Sequence, residues 1–97
     1  MEKSIIELEN GDAIGYYIDL HNAPLIIIKA KKGYITCGYL SMDAANKLGD
    51  IAGKVTGVNN FDDILNGTII EVSVKARKKG FKPGLTGRQF LNKLIDS

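Results

Sequence analysis

The chain has 97 residues, of which 44% are hydrophobic and 25% are charged, and its net charge is +2. These values are typical of one soluble globular domain, so we expect residues 1–97 to form a single domain. The longest purely apolar run, Leu25–Ile28, is far too short to span a membrane. A single cysteine excludes an internal disulfide and favours a reducing, cytoplasmic location.

The first 40 residues alternate between apolar and polar side chains, with turn residues between the alternating segments. Asn10-Gly11 favours a tight hairpin because both residues tolerate positive φ. The pattern predicts a four-stranded antiparallel meander with strands at residues 4–9, 13–20, 25–30 and 33–40. The third strand is apolar at consecutive positions, which predicts burial on both of its faces.

The second half of the chain changes to helical periodicity and carries capping residues. Ser41 predicts the N-cap of a helix over residues 42–48. The short β-branched segment Lys54–Val58 predicts a fifth strand. Asn60 predicts the start of a brief helix, and Gly67 predicts its end.

Two capping boxes follow, Thr68-Ile69-Ile70-Glu71 and Thr86-Gly87-Arg88-Gln89. The first predicts a helix over residues 69–79, although the alternation over residues 70–76 also fits a strand. The second predicts a helix that ends near Ile95.

Together these elements predict an α+β fold, with an N-terminal antiparallel β-meander over residues 1–40. Residues 41–97 are predicted to be mainly helical, with the helices packed on one face of the sheet. Ile5, Tyr17 and the apolar third strand would then need cover on the second face. This need favours a homo-oligomer that assembles through the N-terminal sheet.

Cys37 is the first candidate for chemistry, because it lies where the fourth strand runs into a helix. A helix N-terminus or a nearby cation would favour its thiolate and make it a catalytic nucleophile. Gly38 would then leave open the approach to the sulfur and is a candidate ligand-binding residue. The alternative is an ordinary buried cysteine that packs as a small hydrophobic residue.

Thr86, Gly87 and Arg88 form a second candidate site at a helix N-terminus. Free backbone N–H groups, the helix dipole and the guanidinium could hold a small anionic ligand. The alternative is that Thr86 only caps the helix and Arg88 is solvated. His21 and Cys37 do not make up a zinc ligand set, and His21 is predicted to lie in an exposed loop, so we expect no metal and no cofactor.

The basic run over residues 75–82 could bind phosphates of a nucleic acid. Phe81 is its one aromatic residue, so it does not have the interleaved stacking residues of single-strand binders. Complementing a helix C-terminus explains the charges more simply, which makes a nucleic-acid partner the weaker hypothesis.

Three segments resemble the YunC-like family, domain of unknown function 1805, in order and spacing. They are Gly33–Leu40, Val55–Leu65 and Lys79–Leu94. The resemblance implies an N-terminal β-sheet region that makes a tetramer, and it implies no activity, ligand or catalytic residue.

Three classes of function therefore remain open. The first is a non-catalytic homo-oligomer, either structural or binding a small anionic ligand. The second is a small enzyme that uses Cys37 at a site between subunits. The third is a nucleic-acid accessory protein that uses the basic residues 75–82.

Overall fold

The computed structural model describes all 97 residues and contains one six-stranded sheet and four helices. The strands lie in the sheet in their chain order. They are β1 Glu2–Leu8, β2 Gly11–Asp19, β3 Pro24–Lys29, β4 Gly33–Thr36, β5 Ile51–Lys54 and β6 Glu71–Val72. The helices are α1 Met42–Leu48, α2 Phe61–Asn66, α3 Val74–Lys78 and α4 Gly87–Asp96. The predicted α+β class is confirmed. None of the four helices has the length and apolar character that a membrane crossing requires.

The first four strands form the predicted antiparallel meander. Leu8 pairs with Gly11, so the turn between β1 and β2 is formed by Glu9 and Asn10. We call the inner face the side of the sheet that carries Ile26 and Ile28, and the outer face the opposite side. The third strand is fully buried only on the inner face, because Leu25 and Ile27 remain half-buried.

The main core lies between the inner face and helices α2, α3 and α4, in a cluster of 18 buried residues. Phe81 and Phe90 pack against each other with ring centroids 4.9 Å apart. Tyr17 also lies on this side, where its ring meets Phe61 of α2 edge-on at 6.4 Å. The expectation that Tyr17 needs cover from another subunit is therefore wrong, since α2 covers it.

Helix α1 is the one helix that packs on the outer face. Met42 and Ala45 bury themselves against Ala52 of β5, and Tyr34 of β4 packs against the same small cluster. Because α1 connects β4 to β5 across this face, the two strands run parallel. The outer face is thus covered over β4 and β5 by an element of the chain.

The fifth strand lies earlier than the predicted Lys54–Val58 segment. It spans Ile51–Lys54 because Gly49, at φ +74°, ends α1 and leads the chain directly into the sheet. Gly57, at φ +72°, turns the chain away before Val58. Ser41 has the extended backbone of an N-cap, but its side chain makes no capping hydrogen bond.

The predicted helix over residues 69–79 is wrong in its first half. Residues Glu71–Val72 form β6 beside β5, and the Ile70 N–H donates to the Lys54 carbonyl. Ser73 is the true N-cap of α3, since its hydroxyl accepts from the Ala76 N–H. The Thr68 capping box does not start a helix, because two other interactions are more favourable. Pairing with β6 satisfies backbone groups that β5 would otherwise expose, and the Ile69 side chain is buried.

Candidate functional site

The Cys37 thiol terminates the ladder between β3 and β4. The Cys37 N–H donates to the Ile26 carbonyl at 3.1 Å, and the Ile26 N–H donates to Sγ at 3.4 Å. The thiol in turn lies 3.9 Å from the Pro24 carbonyl, to which it donates. The side chain is 3% exposed. Both hydrogen-bonding functions of the sulfur are therefore used inside the fold.

A cavity of about 420 Å³ borders this sulfur. Three segments line it: the loop before β3, the residues after β4 and the residues before α2. The lining residues are Ala23, Pro24, Cys37, Gly38, Tyr39, Gly57, Val58 and Asn59. None of these side chains is charged, so the cavity suits a small neutral group.

Gly38 lies beside Cys37 in this cavity. A Cβ at Gly38 would come 3.3 Å from Cγ2 of Thr56, which is tighter than most packing contacts. The Tyr39 hydroxyl donates to the Ala23 carbonyl at 3.4 Å and connects two of the cavity's segments. Gly38 thus fits where a larger residue would press on Thr56.

The start of α1 does not face the Cys37 sulfur. Ser41 and Met42 line a different cavity of about 360 Å³, together with Tyr34 and Thr36. Met42 packs on the outer face, whereas Cys37 belongs to the inner-face core. The helix dipole invoked for a Cys37 thiolate is therefore not directed at the sulfur.

Thr86, Gly87 and Arg88 lie in a different place from Cys37, at the start of α4 against the end of α2. The Thr86 and Gln89 side chains form the predicted capping box, with hydrogen bonds of 3.1 and 2.9 Å. The Gly87 N–H donates to the Gly67 carbonyl at 3.0 Å. The N–H groups of Thr86, Gly87 and Gln89 thus have partners within the chain, and the Arg88 N–H is the backbone donor at the helix start that stays free.

Gly87 has a packing role at this position. A Cβ there would collide with the carbonyl oxygen of Ile64, so only glycine lets α4 approach α2 this closely. None of Thr86, Gly87 and Arg88 lines the Cys37 cavity. The structure therefore brings Cys37 and Gly38 together and separates them from the predicted anion site.

Sequence reasoning did not find the contribution of the Gly57–Asn59 segment to the cavity. The sequence signal is the glycine at position 57, whose positive φ turns the chain towards the Asn60 cap of α2. Ala23 and Pro24 were also missed. They follow His21, an exposed residue held at φ 78° whose N–H donates to an Asp19 carboxylate oxygen at 2.9 Å.

Tyr34 is the one titratable group with a clear perturbation. Burial, followed by the hydrogen bond to Asp50 and the charge of that carboxylate, raises the pKa of Tyr34 above its ordinary value of 10.0. The hydroxyl donates to the Asp50 carboxylate at 3.0 Å and so links β4 to the residue that precedes β5.

The basic residues near α3 are arranged around a helix C-terminus. Lys75, Arg77 and Lys78 lie in the last turn of α3, where positive charge complements the dipole. Lys93 donates to the Gly80 carbonyl at 2.7 Å and lies 5.1 Å from the centre of the Phe81 ring. Binding of nucleic acid by this region stays a prediction.

This chain is similar to a family and to two proteins that have no assigned function. The family model "Domain of unknown function (DUF1805)" matches residues 36–94. The uncharacterized protein YunC of Bacillus subtilis (strain 168) is 34% identical over 67 residues, which cover 65% of this chain and 66% of YunC. The crystal structure of TA1206, a protein of unknown function from Thermoplasma acidophilum, superposes with a TM-score of 0.90 at 43% identity. That match covers 96% of this chain and 91% of the TA1206 chain.

Proposed function

The chain belongs to the DUF1805 family, and we propose that it functions as a homo-oligomer, a tetramer, assembled through its first three strands. The observation that supports this proposal is the apolar outer face of β1, β2 and β3. This face, called here the open face, carries six apolar or aromatic side chains, Ile5, Ile14, Tyr16, Ile18, Leu25 and Ile27.

The open face is not part of either buried cluster. Ile5 is 72% exposed, and the other five side chains are half-buried. Of these only Leu25, at the end of β3, packs against the main core. Helix α1 covers the outer face only over β4 and β5. An apolar sheet face of this kind gains free energy when it is removed from water.

Its charges favour a second copy of this chain as the occupant. On β1 the open face carries Lys3 and Glu7, one of each sign, on either side of Ile5. A two-fold related copy presents the same two charges in reverse order, so that each meets its opposite. A uniformly acidic or basic partner would meet a like charge at one of the two positions.

The proposal is tested with charged substitutions on the open face. Ile14→Glu and Ile27→Glu are expected to reduce the mass measured by light scattering, because each would bury a carboxylate in the subunit interface. Leu48→Glu is the matched control, since Leu48 is 76% exposed on α1, which packs over β4 and β5 and not over the open face. Retention of the full assembly mass by both face variants would contradict the proposal.

A second candidate function is binding of a small molecule in the cavity beside Cys37. The supporting observation is that the protein's one thiol lies in the wall of a neutral cavity of about 420 Å³. A ligand at this site would be small and uncharged, with Gly38 and Tyr39 in contact. An anionic ligand would instead bind at the start of α4, beside Thr86 and Gly87 and chiefly through Arg88, because the N–H groups of Thr86 and Gly87 already have partners. A role as an enzyme would require the thiol to react with a substrate. Separately, the single cysteine suits a reducing, cytoplasmic location.

Alkylation of the folded protein tests this candidate. We expect iodoacetamide, which is neutral, to modify Cys37 faster than iodoacetate, because the cavity lining contains no cation. Each measurement has a clear stoichiometry, since Cys37 is the only cysteine. Protection from both reagents until the protein unfolds would contradict access from the cavity and leave Cys37 as a packing residue.

A further inference from the structure

We infer that β1 pairs edge to edge with β1 of a second copy, in an antiparallel arrangement centred on Ile5. This inference rests on the proposed self-assembly and specifies one of its contacts. β1 is the first strand of the sheet, and no part of the chain pairs with its outward edge. Unpaired strand edges of this kind are templates for pairing with another chain.

The hydrogen-bond alternation of the sheet determines which groups of β1 point outward. In an antiparallel ladder each residue directs its N–H and C=O to the same neighbour, and successive residues alternate. The Cys37 N–H donates to the Ile26 carbonyl and the Ala30 N–H to the Gly33 carbonyl. Even-numbered residues of β3 therefore face β4, and odd-numbered ones face β2.

The same alternation continues to the edge. Ile27 pairs with Tyr16, so even-numbered residues of β2 face β3 and odd-numbered ones face β1. Gly15 pairs with Ser4, so even-numbered residues of β1 face β2. The N–H and C=O groups of the odd-numbered residues, Lys3, Ile5 and Glu7, are consequently directed out of the sheet.

Pairing about Ile5 satisfies these groups and matches the side chains. β1 has seven residues, Glu2–Leu8, with Ile5 at its centre, so every residue of the strand obtains a partner. Ile5 lies opposite Ile5 of the partner subunit, and Lys3 lies opposite Glu7 of the partner subunit. All three are exposed side chains of the outer face.

Other registers are less favourable. Sliding the partner by two residues in either direction places Ile5 opposite a charged residue and separates Lys3 from Glu7 of the partner subunit. Opposite charges that face each other across strands stabilise the pair, and like charges destabilise it. The strand sequence is therefore self-complementary in one register.

Edge pairing would join two six-stranded sheets into one and make their open faces continuous. Two such dimers could then pack with their open faces together. A tetramer of this kind uses one edge contact and one face contact, each with two-fold symmetry.

Charge reversal tests the register. Lys3→Glu and Glu7→Lys each place like charges opposite each other at both ends of the strand pair, and we expect each to raise the dissociation constant of the dimer about tenfold. The two variants mixed together restore the opposite pairs, as does the double variant Lys3→Glu/Glu7→Lys. Both should recover the association of the unmodified protein in sedimentation equilibrium.

Matched controls are Lys31→Glu and Glu9→Lys, which make the same charge changes at exposed turn positions. Association that is weakened by the single reversals but not recovered on mixing would overturn the Ile5 register. An assembly that is insensitive to all reversals would overturn edge pairing while leaving the proposed oligomer intact, with Lys3 and Glu7 only protecting the edge. A monomer in every variant and in the unmodified protein would overturn both.

Discussion

The Cys37 side chain is a structural link between β3 and β4 as well as part of a cavity wall. Replacing it with Ala removes the sulfur that accepts from the Ile26 N–H and leaves that buried donor without its partner. We expect Cys37→Ala to lower the free energy of unfolding by about 1–3 kcal/mol. Chemical denaturation measures this change. A variant as stable as the unmodified protein would contradict the structural role.

Only part of this site can be predicted from the sequence. Cys37 and Gly38 are adjacent in the chain, so a strand end and a glycine suffice to identify them. Pro24 and Asn59 reach the cavity through strand pairing and through the turn at Gly57, which are contacts between distant segments. Arg88, in the second candidate site, does not line this cavity, because the close packing of α4 on α2 at Gly87 holds the start of α4 elsewhere.

Tyr34 gives a prediction on pH dependence. Its pKa is raised in the folded protein by burial and by Asp50, so the neutral phenol is favoured in the folded state. The resulting stability is present below the unfolded value of about 10 and is lost as the pH rises through the folded value. Spectrophotometric titration should show one of the four tyrosines ionising later than the others.

The variant Tyr34→Phe should remove this late step, and Asp50→Asn should move it towards the ordinary value. Tyr39 is a suitable control, since its hydroxyl donates to a backbone carbonyl and it is half exposed. Simultaneous ionisation of all four tyrosines in the unmodified protein would show that the Tyr34–Asp50 hydrogen bond does not persist in solution.

At the scale of the elements, Ser73 is the residue that separates β6 from α3. Its fully buried hydroxyl accepts from the Ala52 and Ala76 N–H groups and donates to the Asp50 carbonyl at 2.7 Å. We expect Ser73→Ala to cost about 1–3 kcal/mol, because it leaves buried groups unpaired. Thr68→Ala should change stability by no more than about 0.5 kcal/mol, as an exposed residue without a capping role.

Thermal unfolding of the two variants decides between the caps. Equal stability of Ser73→Ala and the unmodified protein, together with a loss for Thr68→Ala, would restore the helix over residues 69–79. Backbone chemical shifts provide an independent readout, since residues 70–72 should show extended values and residues 74–78 helical ones.

The two capping boxes show why local sequence predicts some elements and not others. The Thr86 box forms as predicted because α4 is long and amphipathic and buries Phe90, Leu91 and Leu94. The Thr68 box does not form because residues 69–72 make other contacts. The Ile69 N–H donates to the Leu85 carbonyl, and the Gly84 N–H donates to the Ile69 carbonyl. This competing partner lies more than ten residues away, so no local pattern reveals it. The N-terminal meander was predictable because each of its strands pairs with its neighbour in the chain.

At the scale of the whole molecule, the two faces of the sheet differ in how much of each is covered by helices. The inner face is closed by three helices, whereas the outer face is covered by α1 over β4 and β5 and bare over β1, β2 and β3. The sequence predicted an apolar second face in need of cover. It did not predict that α1 would supply part of that cover, because packing of α1 on Ala52 depends on the parallel pairing of β4 with β5.

Self-association through the first three strands is the central claim, and the mass of the unmodified protein in solution tests it most directly. Sedimentation equilibrium at micromolar concentration should give about four times the 10.5 kDa of one chain. Dilution should lower this mass in steps, with a dimer as the intermediate. A mass of one chain at all micromolar concentrations would contradict the claim.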